Sequence, residues 1–159
     1  MSGIATGRLS EERKNWRKDH PPGFYARPAK KEDGSVNLME WECGVPGRAG
    51  TDWESGVYVV KIFFTEEYPS KPPVAKFCPA IFHPNIFSSG QVCLSILKEE
   101  KGWRPAITIK QVLMGLQDLL DNPEPRDPAN GNAAQMMQRN PTEYKRTIRA
   151  QAAKYVPST

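Results

Sequence analysis

The chain is 159 residues long, 38% apolar and 25% charged, which is enough to bury a core and suits a globular domain better than a disordered tract or a membrane-spanning chain. Its formal charge of +4 is unevenly placed: residues 1–31 hold eight Lys/Arg against three Asp/Glu, and the remainder holds 14 against 15. The first fifth of the chain therefore calls for an acidic partner, but no interleaved aromatics or nucleic-acid motif accompany the charge, so neither nucleic acid nor a membrane is expected there.

The start, MSGIATGRLSEER, has no signal-peptide core, and Ser2 stands where myristoylation requires Gly. An intracellular protein is expected. Three cysteines, Cys43, Cys78 and Cys93, cannot all pair, and that compartment keeps thiols reduced. No C-x-x-C or His cluster has zinc spacing, so no metal is expected.

In chain order, 2–19 reads as a helix, with Ile4, Leu9 and Trp16 near one face and Arg13, Arg17 and His20 on another. HPPG at 20–23 stops it. Four β-rich runs follow, at 23–29, 36–47, 56–64 and 75–79, separated by turn residues. Short links between successive strands predict an antiparallel meander. Three prolines exclude YPSKPP, 68–73, from a central strand and make it a fixed loop; the aromatic before Pro69 favours a cis bond there. Ile109, Val112, Leu113, Leu116, Leu119 and Leu120 trace a helical stripe over 107–120, with Thr108 as N-cap. A proline-rich loop, 121–129, precedes a short helix over 130–139, which Gly131 and Asn132 weaken. The last helix spans 140–155, with Asn140 as N-cap and Pro141 in its first turn. This order predicts one α+β domain over 1–159, with helices at the ends or on one face of the sheet. Cys43 and Cys78 fall in strand-like runs and are expected to be buried; Trp16, Trp41, Trp53 and Trp103 are expected to pack.

The stretch FHPNIFSSGQVCLSIL, 82–97, holds Cys93 and one of two histidines, His83. A thiol near pKa 8.5 needs a base or a positive site to become a nucleophile at pH 7. No Asn or Asp is identifiable to orient His83 as that base, and a buried loop histidine bonded to backbone is the plainer reading. Asn85 carries an amide donor of the kind that stabilises an oxyanion, although a turn role suits it equally on sequence grammar.

FHPNIFSSGQVCLSIL, with YPSKPP before it and WRPAITIKQVL after it, resembles the ubiquitin-conjugating enzyme family. The His-Pro-Asn tripeptide, a cysteine eight residues after its Asn and the downstream Trp-x-Pro follow that family's order, and the resemblance spans the whole chain. RLSEERKNWRKDHPPGF, NLMEWEC, VPGRAGTDWE, CLSILKEEKGWRPAITIKQ and RDPAN are similar to its SUMO-conjugating branch.

The resemblance implies that family's fold: an N-terminal helix, a four-stranded antiparallel meander and C-terminal helices. It implies that Cys93 takes SUMO from an activating enzyme as a thioester and passes it to a substrate lysine as an isopeptide. Asn85 would stabilise the oxyanion, Asp127 would position the lysine, and His83 would be structural. A lysine of pKa near 10.4 must lose its proton to attack, and a dry groove helps it do so.

The implied groove comprises Phe87, Val74, Lys76, Ser89, Gln91, Pro128, Ala129 and Ala134. The branch usually has Tyr at 87, Lys at 74, Tyr at 134 and a small hydroxyl residue at 91, so reading of a hydrophobic-Lys-x-acidic motif is expected to be altered. Arg13, Lys14, Arg17 and His20 match the branch's surface for noncovalent SUMO and activating-enzyme binding; a solvated basic face is the bland reading of the same residues. No bound cofactor is implied, since ATP is consumed upstream by the activating enzyme. SUMO ligases and substrate proteins are the remaining implied partners, with a monomer in nucleus and cytoplasm. A ubiquitin-charging relative and a noncatalytic SUMO-binding adaptor are the alternatives.

Overall fold

The computed structural model describes residues 3–158. Its strands β1 (Tyr25–Lys30), β2 (Val36–Pro46), β3 (Val57–Phe63) and β4 (Val74–Phe77) form one antiparallel sheet in the order β1-β2-β3-β4, the meander expected from the short links. Pro28 is tolerated because β1 is an edge strand, and the register slips directly after it. Alternation buries Trp41, Cys43 and Val45 of β2, Tyr58, Val60 and Ile62 of β3, and Ala75 and Phe77 of β4 on one face. The opposite face carries Arg27, Glu42, Lys61 and Lys76 in register across the four strands.

Two helices, α1 (Gly3–Lys18) and α2 (Ile109–Asp121), lie against β2. α2 buries Ile109, Val112, Leu113, Leu116, Leu119 and Leu120, the stripe read from the sequence, at about 1.5–3 kcal/mol for each large aliphatic side chain. Thr108 caps it: its hydroxyl accepts from Gln111 N, and the Gln111 side chain accepts from Thr108 N.

The buried face of α1 is Ala5, Leu9, Glu12 and Trp16, an i, i+4, i+7, i+11 series. Ile4, expected on that face, is 73% exposed, because it stands one residue, about 100° of rotation, off the series. Ser2 of the expected helix lies outside the described residues.

Glu12 is buried because it has work to do there. Its carboxylate accepts from Tyr68 Oη at 2.8 Å, from Ile109 N at 3.2 Å and from Arg8 Nη2 at 3.2 Å. Arg8 in turn donates to the carbonyls of Pro105 and Ile107. One acid thus ties α1, the 68–73 loop and the positive end of α2 together.

Helices α3 (Gly131–Arg139) and α4 (Pro141–Lys154) pack on one another. Asn130 and Asn140 cap them by accepting from Ala133 N and Glu143 N, which offsets the poor helix formers Gly131 and Asn132. All four tryptophans are buried. Cys43 is fully buried, which pushes its thiol up. Cys78 departs from expectation: it lies just past β4, where the strand's alternation ends, and is half-buried. The Tyr68–Pro69 bond is cis, as is Cys78–Pro79.

Candidate active site

The His-Pro-Asn turn is bolted into the core from both sides. His83 is fully buried; its Nε2–H donates to Leu119 O at 2.7 Å, one of the carbonyls left over at the end of α2, and its Nδ1 accepts from Asn85 N at 2.9 Å. Burial pulls its pKa down to about 4, so the ring is neutral at pH 7. With both nitrogens occupied, His83 has no lone pair or proton to trade with Cys93.

Asn85 is equally buried, and its amide is fully spent on the 121–129 loop. Nδ2 donates to Glu124 O at 2.8 Å and to Asp127 O at 2.7 Å, while Oδ1 accepts from Glu124 N at 2.8 Å. Pro84 O accepts two more bonds from that loop and its exit, from Ala129 N at 2.7 Å and Asn130 N at 3.0 Å. Asn85 O also accepts from Cys93 N at 2.9 Å. The tripeptide therefore fixes the loop bearing Asp127 and the backbone of Cys93 to a single point.

Cys93 is half-buried and lines an open cleft of about 330 Å³ with Lys101, Leu119, Asn122, Glu124 and Asp127. A single 3₁₀ turn, Ser95–Leu97, then returns the chain toward the cleft. There the Lys98 ammonium lies 3.7 Å from Asp127 Oδ2. Lys101 Nζ lies 3.5 Å from Asp127 Oδ1. Its neighbours Cys93, Asp127 and Glu100 hold the Lys98 amine above its usual range, against the opposing effect of burial.

The 86–92 segment is a hairpin laid along β4. Phe87 N donates to Gln91 O, Gly90 N to Phe87 O, Phe77 N to Gly90 O and Val92 N to Ala75 O. Gly90 is required at the turn: its φ is +92°, and a Cβ there would sit 2.2 Å from Phe77 O. The bridge Lys76↔Gln91 puts those two side by side on the outer face, with Val74 two residues from Lys76 on the same side of β4. Val74 and Phe87 are 42% and 44% exposed, large for apolar side chains. Ser89 is at the hairpin tip. Pro128 and Ala134 line a hollow with Pro84, Glu124, Pro125 and Met137 that adjoins the Cys93 cleft through Glu124.

The described fold and this cysteine loop have clear relatives. A family model described as ubiquitin-conjugating enzyme matches residues 8–152. The chain belongs to that family. The SUMO-conjugating enzyme SCE1 of Arabidopsis thaliana is 56% identical over 97% of this chain and 96% of its own length. The Sumo-conjugating enzyme ubc9 of Dictyostelium discoideum is 55% identical over 99% of both chains. The SUMO-conjugating enzyme UBC9 of Caenorhabditis elegans is 54% identical over 98% of this chain and 93% of its own.

Within this ubiquitin-conjugating enzyme fold, Arg13, Lys14, Arg17 and His20 fall on or just after α1, and none lines the Cys93 cleft. Among the described residues Arg13, Lys14 and Arg17 have no ion-pair partner. His20 stacks on Trp16 with ring centroids 5.1 Å apart and donates from Nδ1 to Trp16 O. Lys98 and Lys101 were not singled out by the sequence. Their spacing from Cys93 was legible, but their shared carboxylate arrives from a loop 26 residues beyond Lys101.

Proposed function

We propose that this protein is a SUMO-conjugating enzyme. Cys93 takes the C-terminal carboxyl of SUMO from the activating enzyme as a thioester and hands it to a substrate lysine as an isopeptide. The observation that carries this reading is a solvent-reachable cysteine at an open cleft lined by the Asp127 carboxylate, with the histidine of its own loop buried and bonded at both nitrogens. A base there would activate water and discharge the carrier; the buried, fully bonded His83 cannot.

Asp127 is suited to orient the incoming amine. Lys98 and Lys101 already hold ammonium groups against its two oxygens, so a substrate lysine enters by displacing one of them. Asn85 serves first as the anchor of the Asp127 loop. For Nδ2 to donate to an oxyanion at the thioester carbon, it must exchange one of its two carbonyl partners for the oxyanion. Val74, Phe87, Lys76 and Gln91 make the outer groove more apolar and leave one lysine where two are usual, which supports weaker direct reading of an acidic substrate residue and greater dependence on a ligase.

The test is loading with ATP and either SUMO and its activating enzyme or ubiquitin and its own. A thiol-sensitive adduct with SUMO supports the reading; loading by ubiquitin alone overturns it. Modification of a consensus peptide without ligase, at equal rates for the natural chain and Val74→Lys, overturns the groove assignment.

A further inference from the structure

The turn past Cys93 delivers two ammonium groups to one carboxylate. Lys98 Nζ lies 3.7 Å from Asp127 Oδ2 and Lys101 Nζ lies 3.5 Å from Asp127 Oδ1, with the Lys98, Lys101 and Asp127 side chains 26%, 48% and 23% exposed. Both sides of the contact are fixed. Lys98 O accepts from Lys101 N at 3.0 Å and from Trp103 N at 3.1 Å, Gly102 N donates to Ser95 O, and the Trp103 indole donates to Pro69 O. Asn85 holds the Asp127 loop from below. Two positive charges thus share one negative charge. The other charges of the cleft do not absorb the surplus: Asp118 pairs with Arg48 at 3.6 Å, and Glu124 is matched in number by Arg126.

An acceptor lysine brought to Asp127 arrives as a third ammonium at the same carboxylate. It must displace Lys98 or Lys101, and the displaced ammonium loses its partner. We propose that Lys98 and Lys101 are built-in competitors of the acceptor, and that they select acceptors carrying a carboxylate beside their lysine. The inference rests on the role of Asp127 proposed above. Binding is then an exchange of partners. The acceptor ammonium takes Asp127, and the acceptor carboxylate takes the lysine that left it. The surplus stays at one positive charge, whereas a neutral acceptor raises it to two. Such repulsion discriminates against the acceptor that lacks the second half of the exchange. The reading of an acidic substrate residue moves from Val74 and Lys76 on the outer groove to the turn past Cys93.

The consequences for the two kinds of acceptor are opposite. Removing the lysine charges helps a neutral acceptor and costs an acidic one its advantage. A partly exposed ion pair is worth about threefold in an equilibrium constant, so a neutral acceptor should bind about threefold more tightly for each pair removed.

The full chain is loaded with SUMO by its activating enzyme, the ATP is removed, and single-turnover transfer is followed over a range of peptide concentrations. Two peptides are compared, each with one lysine, differing only in a neighbouring Glu or Gln. The natural chain should favour the acidic peptide. In Lys98→Gln with Lys101→Gln, that preference should vanish and the half-saturating concentration of the amide peptide should fall. Lys98→Arg with Lys101→Arg keeps both charges and should keep the preference. A turn that is merely structural would slow both peptides alike. The proposal is overturned by no preference in the natural chain, by a preference that survives the double Gln variant, or by an amide peptide that binds it no more tightly. It is also overturned by a preference lost in Lys76→Gln with both turn lysines in place. Failure to form the thiol-sensitive adduct at all overturns the assignment of Cys93, and this inference with it.

Discussion

Replacing Asn85 by Ala separates the two jobs this residue can have. The side chain makes three hydrogen bonds, to Glu124 N, Glu124 O and Asp127 O, all between 2.7 and 2.8 Å. At about 1 kcal/mol net for each, their loss removes about 3 kcal/mol. For a chain of this size that lowers the melting temperature by about 6–12 °C. The Ala129 and Asn130 amides, which bond Pro84 O, should lose protection from hydrogen exchange, because the loop that presents them is released. Asn85→Asp is expected to be at least as harmful: it keeps an acceptor for Glu124 N but turns a carboxylate oxygen toward two carbonyls. The assay is thermal unfolding with amide exchange of 124–130, beside rates of loading and of transfer to lysine. An unchanged melting point and unchanged loop protection in Asn85→Ala, with transfer lost, would refute the anchoring role and leave Asn85 as an oxyanion donor alone.

Acid should weaken the fold through His83. Its folded pKa, about 4, lies below the unfolded value of 6.5, so the unfolded chain binds a proton that the native one refuses. Stability is then undiminished above pH 6.5 and falls by up to about 3 kcal/mol as the pH drops to 4; denaturant unfolding should show a loss that His83→Gln does not. Gly90→Ala should cost at least about 2 kcal/mol, since it forces a side chain to positive φ and into Phe77 O; chemical denaturation measures it, and an unaffected midpoint would count against the tight hairpin. Arg13→Ala with Arg17→Ala should weaken noncovalent SUMO binding and flatten its salt dependence in calorimetry, because the half-buried Arg13 and exposed Arg17 act through charge that salt screens within about 10 Å at 0.1 M. Binding unchanged by the pair would leave α1 as a solvated basic face.

Periodicity and turn chemistry made most of the scaffold legible. The α2 stripe, the Thr108 and Asn140 caps and the four-strand meander are local patterns, and local patterns survive folding. Ile4 falls near the face of Leu9 and Trp16 on a helical wheel, but the adjacent Ala5 leads the buried series and leaves Ile4 exposed. Glu12 was invisible for the opposite reason: an acid reads as surface, and the partners that justify its burial, Tyr68 and Ile109, lie 56 and 97 residues away. The site divides the same way. The spacing of Asn85 and Cys93 could be read directly. The commitment of the Asn85 amide to residues 39 and 42 positions downstream could not, nor could the meeting of Lys98, Lys101 and Asp127, because each depends on a long loop returning to one point.

The most direct measurement of the thioester-carrier reading is intact-mass analysis of the protein after incubation with ATP, SUMO and its activating enzyme. One SUMO per chain is expected, released by thiol and absent from Cys93→Ala. A thiol-sensitive adduct of the same yield on Cys93→Ala, or none on the natural chain, would contradict it.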